Sequence, residues 1–228
     1  MSSIEALKKI AAEKAVEQVK SGMVLGLGTG STTRYAVDKI GQLYQSGQLT
    51  DIVGIPTSEA TAERARSYGV PLTTLDQHPV LDVAIDGADE VDPQLNVIKG
   101  LGGALLREKM VEMNAKRLII VVDDRKVSTQ LGLVSPLPVE VIPFNWKFTA
   151  RWLAGLGCTP VLRGGEDSPY ITDNHNYILD CHFAHGIDDP AALAATLRNR
   201  VGVVEHGLFL GMVHQVIVAA AAGVSVME

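Results

Sequence analysis

The sequence predicts an α/β fold, in which a mainly parallel sheet is covered by helices and is followed by a smaller α+β domain. Short apolar segments alternate with segments of helical periodicity over the first 132 residues. This alternation is typical of parallel sheets, whose strands are joined by crossover helices. The pattern changes after Pro136 and Pro138, where the elements read strand, helix, strand, strand, helix and strand. That order is typical of a split βαβ unit.

The first domain is predicted to be Rossmann-like, and it begins with a helix over 4–20. Apolar residues recur there at helical spacing, while charged residues fill the opposite face. The segment GMVLGLGTGSTT, 22–33, predicts a strand that ends in a glycine-rich turn, and a helix follows over 32–45. Ser58 and Gly69 are the expected cap and stop of the next helix. The other predicted elements are strands at 51–58, 71–75, 81–87 and 116–124, and an extended segment, a glycine turn and a helix within 95–115.

The second domain is predicted to be a smaller, ferredoxin-like α+β unit. Its predicted strands are 139–144, 159–163, 176–183 and 202–209, and its helices are 147–157 and 189–200. The tail, 211–223, is apolar and is expected to return to the first domain as a strand. The predicted division is therefore 1–132 plus 207–228 for the α/β domain and 133–206 for the small domain.

The composition favours a cytoplasmic protein whose partner is a small molecule. The net charge is −6 and there is no basic stripe, so nucleic acid is not an expected partner. The N-terminal segment lacks the apolar core of a signal peptide, and the longest apolar run, 216–227, is too short to span a bilayer. Two cysteines, Cys158 and Cys181, fit a reducing compartment better than a disulfide framework.

A glycine-rich segment follows the first predicted strand, at the sheet edge where ligands of open α/β folds bind. In Gly26–Thr33, glycines let backbone N–H groups approach an anion, and the next helix adds the positive end of its dipole. A dinucleotide fingerprint would have glycine at 31 and an acid after the second strand, where Ser31 and Thr57 stand. The segment therefore predicts a phosphate-binding loop, with an ordinary capped turn as the alternative.

Four carboxylates crowd the end of a later apolar strand, in the stretch AIDGADEVD, 84–92. Acids this close raise each other's pKa unless cations or hydrogen-bond donors compensate. Asp86 and Asp89 are expected to face a pocket, where they can accept hydrogen bonds from sugar hydroxyls or bind a metal. No His or Cys lies nearby in sequence to complete a metal site. Glu90 and Asp92 are expected to belong to a solvated loop.

Three further charged residues follow predicted strands. Lys99 comes directly after an apolar segment and can offset the two aspartates or polarise an oxygen. Glu108 lies early in the next helix, where it is either a general base or a glutamate favoured by the helix dipole. Lys126, at the end of the fifth predicted strand, can close on a phosphate or belong to the charged surface.

The small domain carries histidines and a cysteine that invite comparison with a zinc site. Cys181 and His182 are adjacent, so on a strand they point to opposite faces. The stretch, which also contains His175 and His185, is therefore expected to form an edge or subunit contact, and no metal is predicted.

Four motifs together resemble A-type ribose-5-phosphate isomerase. They are GLGTGSTT, DGADEVD, KGLGGALLREK and DDRK, in this order and at these intervals, and the resemblance continues through LPVEVIPF in the small domain. One departure is Leu101, where many family members have glycine.

The resemblance implies an aldose-ketose isomerase that interconverts D-ribose 5-phosphate and D-ribulose 5-phosphate in the non-oxidative pentose phosphate pathway. It implies Glu108 as the proton acceptor, with Lys99, Asp86 and Asp89 as the other catalytic residues and Lys8 as a possible aid to phosphate binding. The family works in the cytoplasm without a metal or organic cofactor, usually as a homodimer or homotetramer. The substrate-binding residues that it implies are Thr29, Gly30, Ser31, Thr32, Asp86, Gly87, Ala88, Asp89, Lys99, Gly100, Leu101, Gly102 and Lys126.

Three alternatives remain open at the level of the sequence. A sugar-phosphate deaminase uses a similar α/β scaffold, as does an acyl-CoA transferase, in which the glutamate would be a nucleophile. A non-catalytic sugar-phosphate sensor of the transcription-regulator type would carry a helix-turn-helix segment, for which there is no room before residue 22.

Overall fold

A computed structural model describes residues 4–228, which form two compact units. Unit 1 comprises 1–88, 107–125 and 212–228, of which the first three residues lie outside the described part. Unit 2 comprises 89–106 and 126–211. The packing of residues into these units does not test the domain division predicted from the sequence, 1–132 plus 207–228 and 133–206. That division stays a prediction.

Unit 1 is built on a six-stranded sheet that is parallel except at one edge. From edge to edge the strands run β13-β12-β6-β3-β1-β2, and only β13 is antiparallel to its neighbour. Of the central strands, β6 is buried along its whole length and β3 is buried except at Gly87, which explains their apolar sequences. The strands are β1 (Val24–Leu27), β2 (Val53–Pro56), β3 (Val83–Gly87), β6 (Leu118–Asp123), β12 (Gln215–Ala220) and β13 (Gly223–Met227).

Helices cover this sheet as the alternating pattern predicts. The first, α1 (Ile4–Val16), is shorter than the predicted 4–20, although Val19 beyond its end is still buried. The next two are α2 (Thr33–Gln45) and α3 (Glu59–Ser67). The Ser58 hydroxyl accepts the N–H of Thr61 at 3.1 Å, so the predicted cap of α3 is confirmed. The helix α4 (Leu105–Glu112) follows the predicted glycine turn.

The strand predicted at 71–75 is wrong. Only Leu72 forms a bridge there, to Gly54 at the edge of the sheet. Pro71 has no N–H to extend a ladder, and the Thr73 hydroxyl instead bonds Gln77 and the ring of His78, at 2.9 and 2.8 Å. A turn therefore replaces the strand, because local side-chain bonds compete with sheet pairing.

The tail returns to unit 1 as predicted, since β12 pairs in parallel with β6. It then continues into β13 through a tight connection from Ala220 to Gly223, a hairpin that the sequence reading did not anticipate. No helix in the described residues is long and apolar enough to cross a membrane.

Unit 2 contains the predicted βαββαβ unit. Its four strands form an antiparallel sheet in the order β10-β7-β9-β8, with two helices in the connections, which confirms the ferredoxin-like α+β prediction. The elements are β7 (Leu137–Val141), α5 (Trp146–Ala154), β8 (Thr159–Leu162), β9 (Tyr177–His182), α6 (Pro190–Arg198) and β10 (Val203–His206). A second, three-stranded sheet joins β4 (Glu90–Val91), β5 (Val97–Ile98) and β11 (Leu208–Phe209).

The prediction that Glu90 and Asp92 form a solvated loop is wrong, because both are buried. The Glu90 carboxylate is fully inaccessible and accepts backbone N–H bonds of 2.9–3.1 Å from four consecutive residues, 132–135. Asp92 accepts the N–H groups of Gln94 and Asn96 at 2.9 and 2.8 Å. These acids sit in the interior because they satisfy backbone donors of loops that have no ladder partner.

We expect Glu90→Gln to lower the free energy of unfolding by about 3 kcal/mol, since an amide can replace only one of the two accepting oxygens and its NH₂ group would face backbone donors. The midpoint of urea unfolding measures this. Glu166→Gln is the control, because Glu166 pairs with Lys147 on the exposed surface of the same unit, where the cost is below about 1 kcal/mol. Equal midpoints for the two variants would contradict the role assigned to Glu90.

Candidate functional site

The glycine-rich loop of unit 1 is fixed by the carboxylate that ends β3. Asp86 is fully buried, and its Oδ1 accepts the Thr29 N–H at 3.0 Å, the Thr33 hydroxyl at 2.9 Å and the Gly87 N–H at 2.6 Å. Gly28 lies against the same carboxylate, and a Cβ there would overlap it. The Asp86 side chain therefore leaves no room for a Cβ at position 28, and Asp86 determines the path of the loop into α2.

The Thr29 hydroxyl faces away from this carboxylate, into a cluster of hydroxyl groups at the end of β2. Its Oγ1 lies 2.7 Å from Thr57 Oγ1, 2.8 Å from Ser58 Oγ and 3.1 Å from Thr61 Oγ1. Thr61 also donates to the carbonyl of Gly28 at 2.9 Å. Thr29 is therefore held on both sides, by Asp86 through its N–H and by α3 through its hydroxyl.

The tip of the loop is the part that is open to solvent. Gly30 and Ser31 are exposed, and α2 begins two residues later, so the positive end of the helix dipole lies beside them. Lys8 Nζ donates to Ser31 Oγ at 3.0 Å and to Glu5 Oε1 at 3.0 Å. The Tyr35 hydroxyl and Lys8 hold the pKa of Glu5 at about 2, so this carboxylate stays ionised near the loop. Lys8, which the family resemblance connects with phosphate binding, therefore contacts the loop directly.

In unit 2, Asp89 lies among donors and cations. Its Oδ2 accepts the Leu101 N–H at 2.8 Å. Burial raises the pKa of Asp89, and the Leu101 N–H together with Lys126, Lys99 and Arg163 opposes that rise. Two other predicted site residues, Lys99 and Lys126, are therefore within electrostatic reach of Asp89. Lys126 lies in a single helical turn, 124–126, after β6.

Lys99 is an ammonium group in an almost inaccessible position, with 2% of its surface exposed. Its Nζ lies 5.6 Å from the centre of the Phe209 ring, a geometry in which the ring face attracts the cation. The Lys99 N–H donates to the Gly207 carbonyl at 2.9 Å, so the segment 207–209 contacts both the backbone and the side chain of Lys99. A charge held this way can stabilise a developing oxyanion strongly, because little water screens it.

Glu108 is the fourth residue of α4 and has 2% of its surface exposed. The N-terminal turn of a helix favours a carboxylate, so the position suits an ionised base that is shielded from bulk water. Its part in the chemistry stays a prediction.

The Gly100–Gly103 turn of unit 2 shows how the departure at Leu101 is accommodated. The Leu101 side chain is 40% exposed, whereas its N–H and carbonyl point to Asp89 and Arg163. The backbone geometry is therefore independent of the side chain at 101. Gly102 is also exposed, while Gly100 is buried.

Sequence reasoning missed Arg163, Asp180 and Tyr170, all of which lie in the small α+β unit. Arg163 bonds the carbonyls of Gly100 and Leu101 and pairs with Asp180. Arg163 lies about sixty positions after Gly100 and Leu101 and 17 before Asp180, so no local motif indicates these contacts.

The histidine and cysteine stretch does not assemble a metal site. Cys181 is buried and His182 is exposed, which confirms that they occupy opposite faces of β9. Within residues 4–228 no group of three or more His, Cys, Asp or Glu side chains could hold a metal ion. The subunit contact predicted for this stretch stays a prediction.

The fold and these groups define an α/β protein with a glycine-rich loop at the carboxyl ends of parallel strands and buried ionisable side chains nearby in sequence. More specifically, a sequence model described as ribose 5-phosphate isomerase A (phosphoriboisomerase A) matches residues 53–223. The chain belongs to this family.

Similar proteins cover the chain almost completely. It is 57% identical to a probable ribose-5-phosphate isomerase 3, chloroplastic, of Arabidopsis thaliana, over 97% of this chain and 82% of the relative. It is 53% identical to ribose-5-phosphate isomerase A of Desulfatibacillum aliphaticivorans, over 100% and 99%. A solved D-ribose-5-phosphate isomerase in complex with phospho-erythronic acid superposes with a TM-score of 0.96 at 43% identity, over the whole of both chains.

We expect Thr33→Val to lower the free energy of unfolding by about 1–3 kcal/mol, because the buried Asp86 carboxylate loses the Thr33 hydroxyl as a donor. The midpoint of urea unfolding measures this change. The control is Thr50→Val, at an exposed threonine of the same unit. Matching midpoints in the two variants would show that the Thr33 hydroxyl does not support the Asp86 carboxylate and its loop.

Proposed function

We propose that this chain interconverts D-ribose 5-phosphate and D-ribulose 5-phosphate by moving a proton between C2 and C1. The observation that carries the proposal is the loop fixed by Asp86, which presents an exposed tip beside a helix N-terminus in a chain that belongs to the isomerase family. A loop of this kind suits the phosphate of a small sugar ester.

The phosphate is assigned to Thr29, Gly30, Ser31 and Thr32, with Lys8 and Lys126 as supporting cations. Backbone N–H groups at the start of α2 and the Ser31 hydroxyl supply donors, and Lys8 already lies 3.0 Å from that hydroxyl. Binding energy from this remote group positions the reacting carbons, which is how a non-reacting phosphate contributes to the rate.

Glu108 is assigned as the base that removes the C2 proton of the open-chain aldose. The electron pair left at C2 forms the C1–C2 double bond of an enediolate, and the former carbonyl oxygen takes the negative charge. Lys99 is assigned to that oxygen. Glu108 then returns the proton to C1, the O2 hydroxyl gives up its proton as C2 becomes the ketone, and that proton is passed to O1, which becomes the C1 hydroxyl of ribulose 5-phosphate. The sequence of steps needs no oxidant, metal or organic cofactor.

Asp86 and Asp89 are assigned to hydroxyl protons of the sugar, including the proton transfer that opens the furanose ring. Asp86 has a second task, because its Oδ1 holds the loop. The remaining proposed contacts use the backbone around these residues, at Gly87, Ala88, Gly100, Leu101 and Gly102.

We also place the protein in the cytoplasm, as a homodimer or homotetramer. The plant relative named above is chloroplastic, so location differs among similar proteins. Large apolar side chains that are exposed in unit 2, Phe144, Phe148 and Val201, support an association surface there.

We expect Glu108→Gln to keep ligand affinity and lose turnover by about 10²–10⁴-fold, because the amide matches the carboxylate in shape but cannot accept a proton. A coupled assay of ribose 5-phosphate conversion, run with a chelator present, measures turnover. Calorimetry with phospho-erythronic acid measures binding.

Glu63→Gln, an exposed position on α3, is the matched control and should keep both properties. Turnover of Glu108→Gln within a few-fold of this control would rule out Glu108 as the base. A wild-type protein that binds the ligand but converts no ribose 5-phosphate, with or without the chelator, would favour the sensor alternative.

We expect ribose 5-phosphate to bind far more tightly than ribose, since the loop and Lys8 contact only the ester. Competition against phospho-erythronic acid compares the two sugars in one assay. Similar affinities would mean that the loop at Gly30 and Ser31 does not bind phosphate.

A further inference from the structure

Arg163 stands just beyond β8, and its guanidinium is held on two sides. Its Nε and Nη2 donate to the two carboxylate oxygens of Asp180 at 3.0 and 2.5 Å, and the guanidinium carbon lies 5.7 Å from the centre of the Tyr170 ring. The paired side chains are only 15% and 16% exposed. Arg163 also donates its backbone N–H to Ile178 and accepts that of Tyr170, at 3.0 and 2.8 Å. A planar fork bound in this way has little freedom.

The remaining arm of the guanidinium reaches the glycine turn after β5. Nη1 donates to the carbonyl of Gly100 at 2.8 Å and to that of Leu101 at 3.1 Å. Gly103 closes the same turn against Tyr170, where a Cβ would overlap the phenol. Arg163 and Tyr170 therefore fix both ends of the turn.

The Gly100 carbonyl and the Leu101 N–H belong to one peptide group. That peptide accepts a hydrogen bond from Arg163 at its oxygen and donates one to Asp89 Oδ2, at 2.8 Å, from its nitrogen. Hydrogen bonds in such a chain polarise one another, so the cation strengthens the bond to the carboxylate as well as fixing its direction.

We propose that Arg163 is a positioning residue of the isomerase reaction, which acts on Asp89 through the Gly100–Leu101 peptide and orients its carboxylate for the sugar hydroxyls. This inference rests on the proposed function of Asp89. This role does not require glycine at position 101, because the peptide group makes the contact and the side chain does not.

Electrostatics supports the same arrangement. The charged groups that act on Asp89 are Lys126, Lys99 and Arg163, and all three oppose the effect of burial on its pKa. Removing the guanidinium takes away one cation and one polarised donor. The pKa of Asp89 then rises, and the ionised form is lost at a higher pH as the solution is acidified.

The test compares Arg163→Met, Arg163→Lys and the control Arg198→Met, which is exposed at the end of α6 in the same unit. We expect Arg163→Met to lower kcat by about 10–100-fold with a small change in KM, as expected when a catalytic group is misplaced. The acidic limb of its kcat profile should move to higher pH. Arg163→Lys keeps the positive charge but loses the planar guanidinium group. The acidic limb of its kcat profile should therefore stay near that of the wild type, while kcat falls. Arg198→Met should change neither.

A second readout does not depend on activity. The carboxyl ¹³C signal of Asp89, assigned from the spectrum of Asp89→Asn, is titrated in the wild type and the variants. We expect its midpoint to be higher in Arg163→Met than in Arg198→Met. If the wild type fails to convert ribose 5-phosphate, the proposed function is wrong, and this titration still decides whether Arg163 acts on Asp89.

Equal Asp89 midpoints in the two methionine variants overturn the inference, as does a kcat and pH profile of Arg163→Met that match those of Arg198→Met. If Arg163→Met does not fold, Asp180→Asn replaces it, since this change loosens the guanidinium without removing it. A kcat of Asp180→Asn equal to that of Arg198→Met then overturns the inference, and a fall in kcat with retained fold supports it.

Discussion

The hydrogen bonds between the Asp86 carboxylate and the glycine-rich loop are the interaction on which the loop of unit 1 depends. A buried charge is costly unless donors surround it, and here the donors are the backbone and hydroxyl groups of the glycine-rich loop. The carboxylate and the loop therefore stabilise each other, since each would be poorly satisfied alone. This mutual dependence explains why Gly28 is needed beside the acid and why the loop leads directly into α2. That path leaves Gly30 and Ser31 exposed shortly before the start of α2, where phosphate binding is proposed.

The same chemistry explains why an apolar strand runs into a cluster of acids. Asp86, Asp89, Glu90 and Asp92 are close in sequence, but each accepts bonds from a different backbone segment. Neighbouring carboxylates can therefore avoid exposure to solvent when each accepts hydrogen bonds from its own set of donors. The stretch thus acts as a series of acceptors for loops that have no strand partner, and the chemistry proposed for Asp86 and Asp89 is added to that structural task.

Much of the fold could be predicted from the sequence because its signals are local. Apolar periodicity located the strands and helices of the sheet, and Ser58 located a helix start through a contact three residues away. Local reasoning failed where a distant partner decides the outcome. Glu90 is buried because of amides 42–45 positions later, which no pattern around Glu90 could indicate. The strand expected at 71–75 failed for the opposite reason, since nearby side chains offered a competing turn.

The proposed site shows the same difference between local signals and distant partners. Residues assigned to the substrate stand at strand ends within short motifs, whereas the groups that hold them come from elsewhere in the chain. Leu101 illustrates the consequence. A departure from glycine there looks damaging when only the motif is considered, but its N–H reaches Asp89, its carbonyl reaches Arg163 and its side chain points to solvent. What the proposed site requires at this position is a peptide group in a fixed plane. Arg163, which lies about sixty residues later in the chain and pairs with Asp180, supplies that constraint. A substitution in the motif can therefore be neutral while one at a distant supporting residue is not.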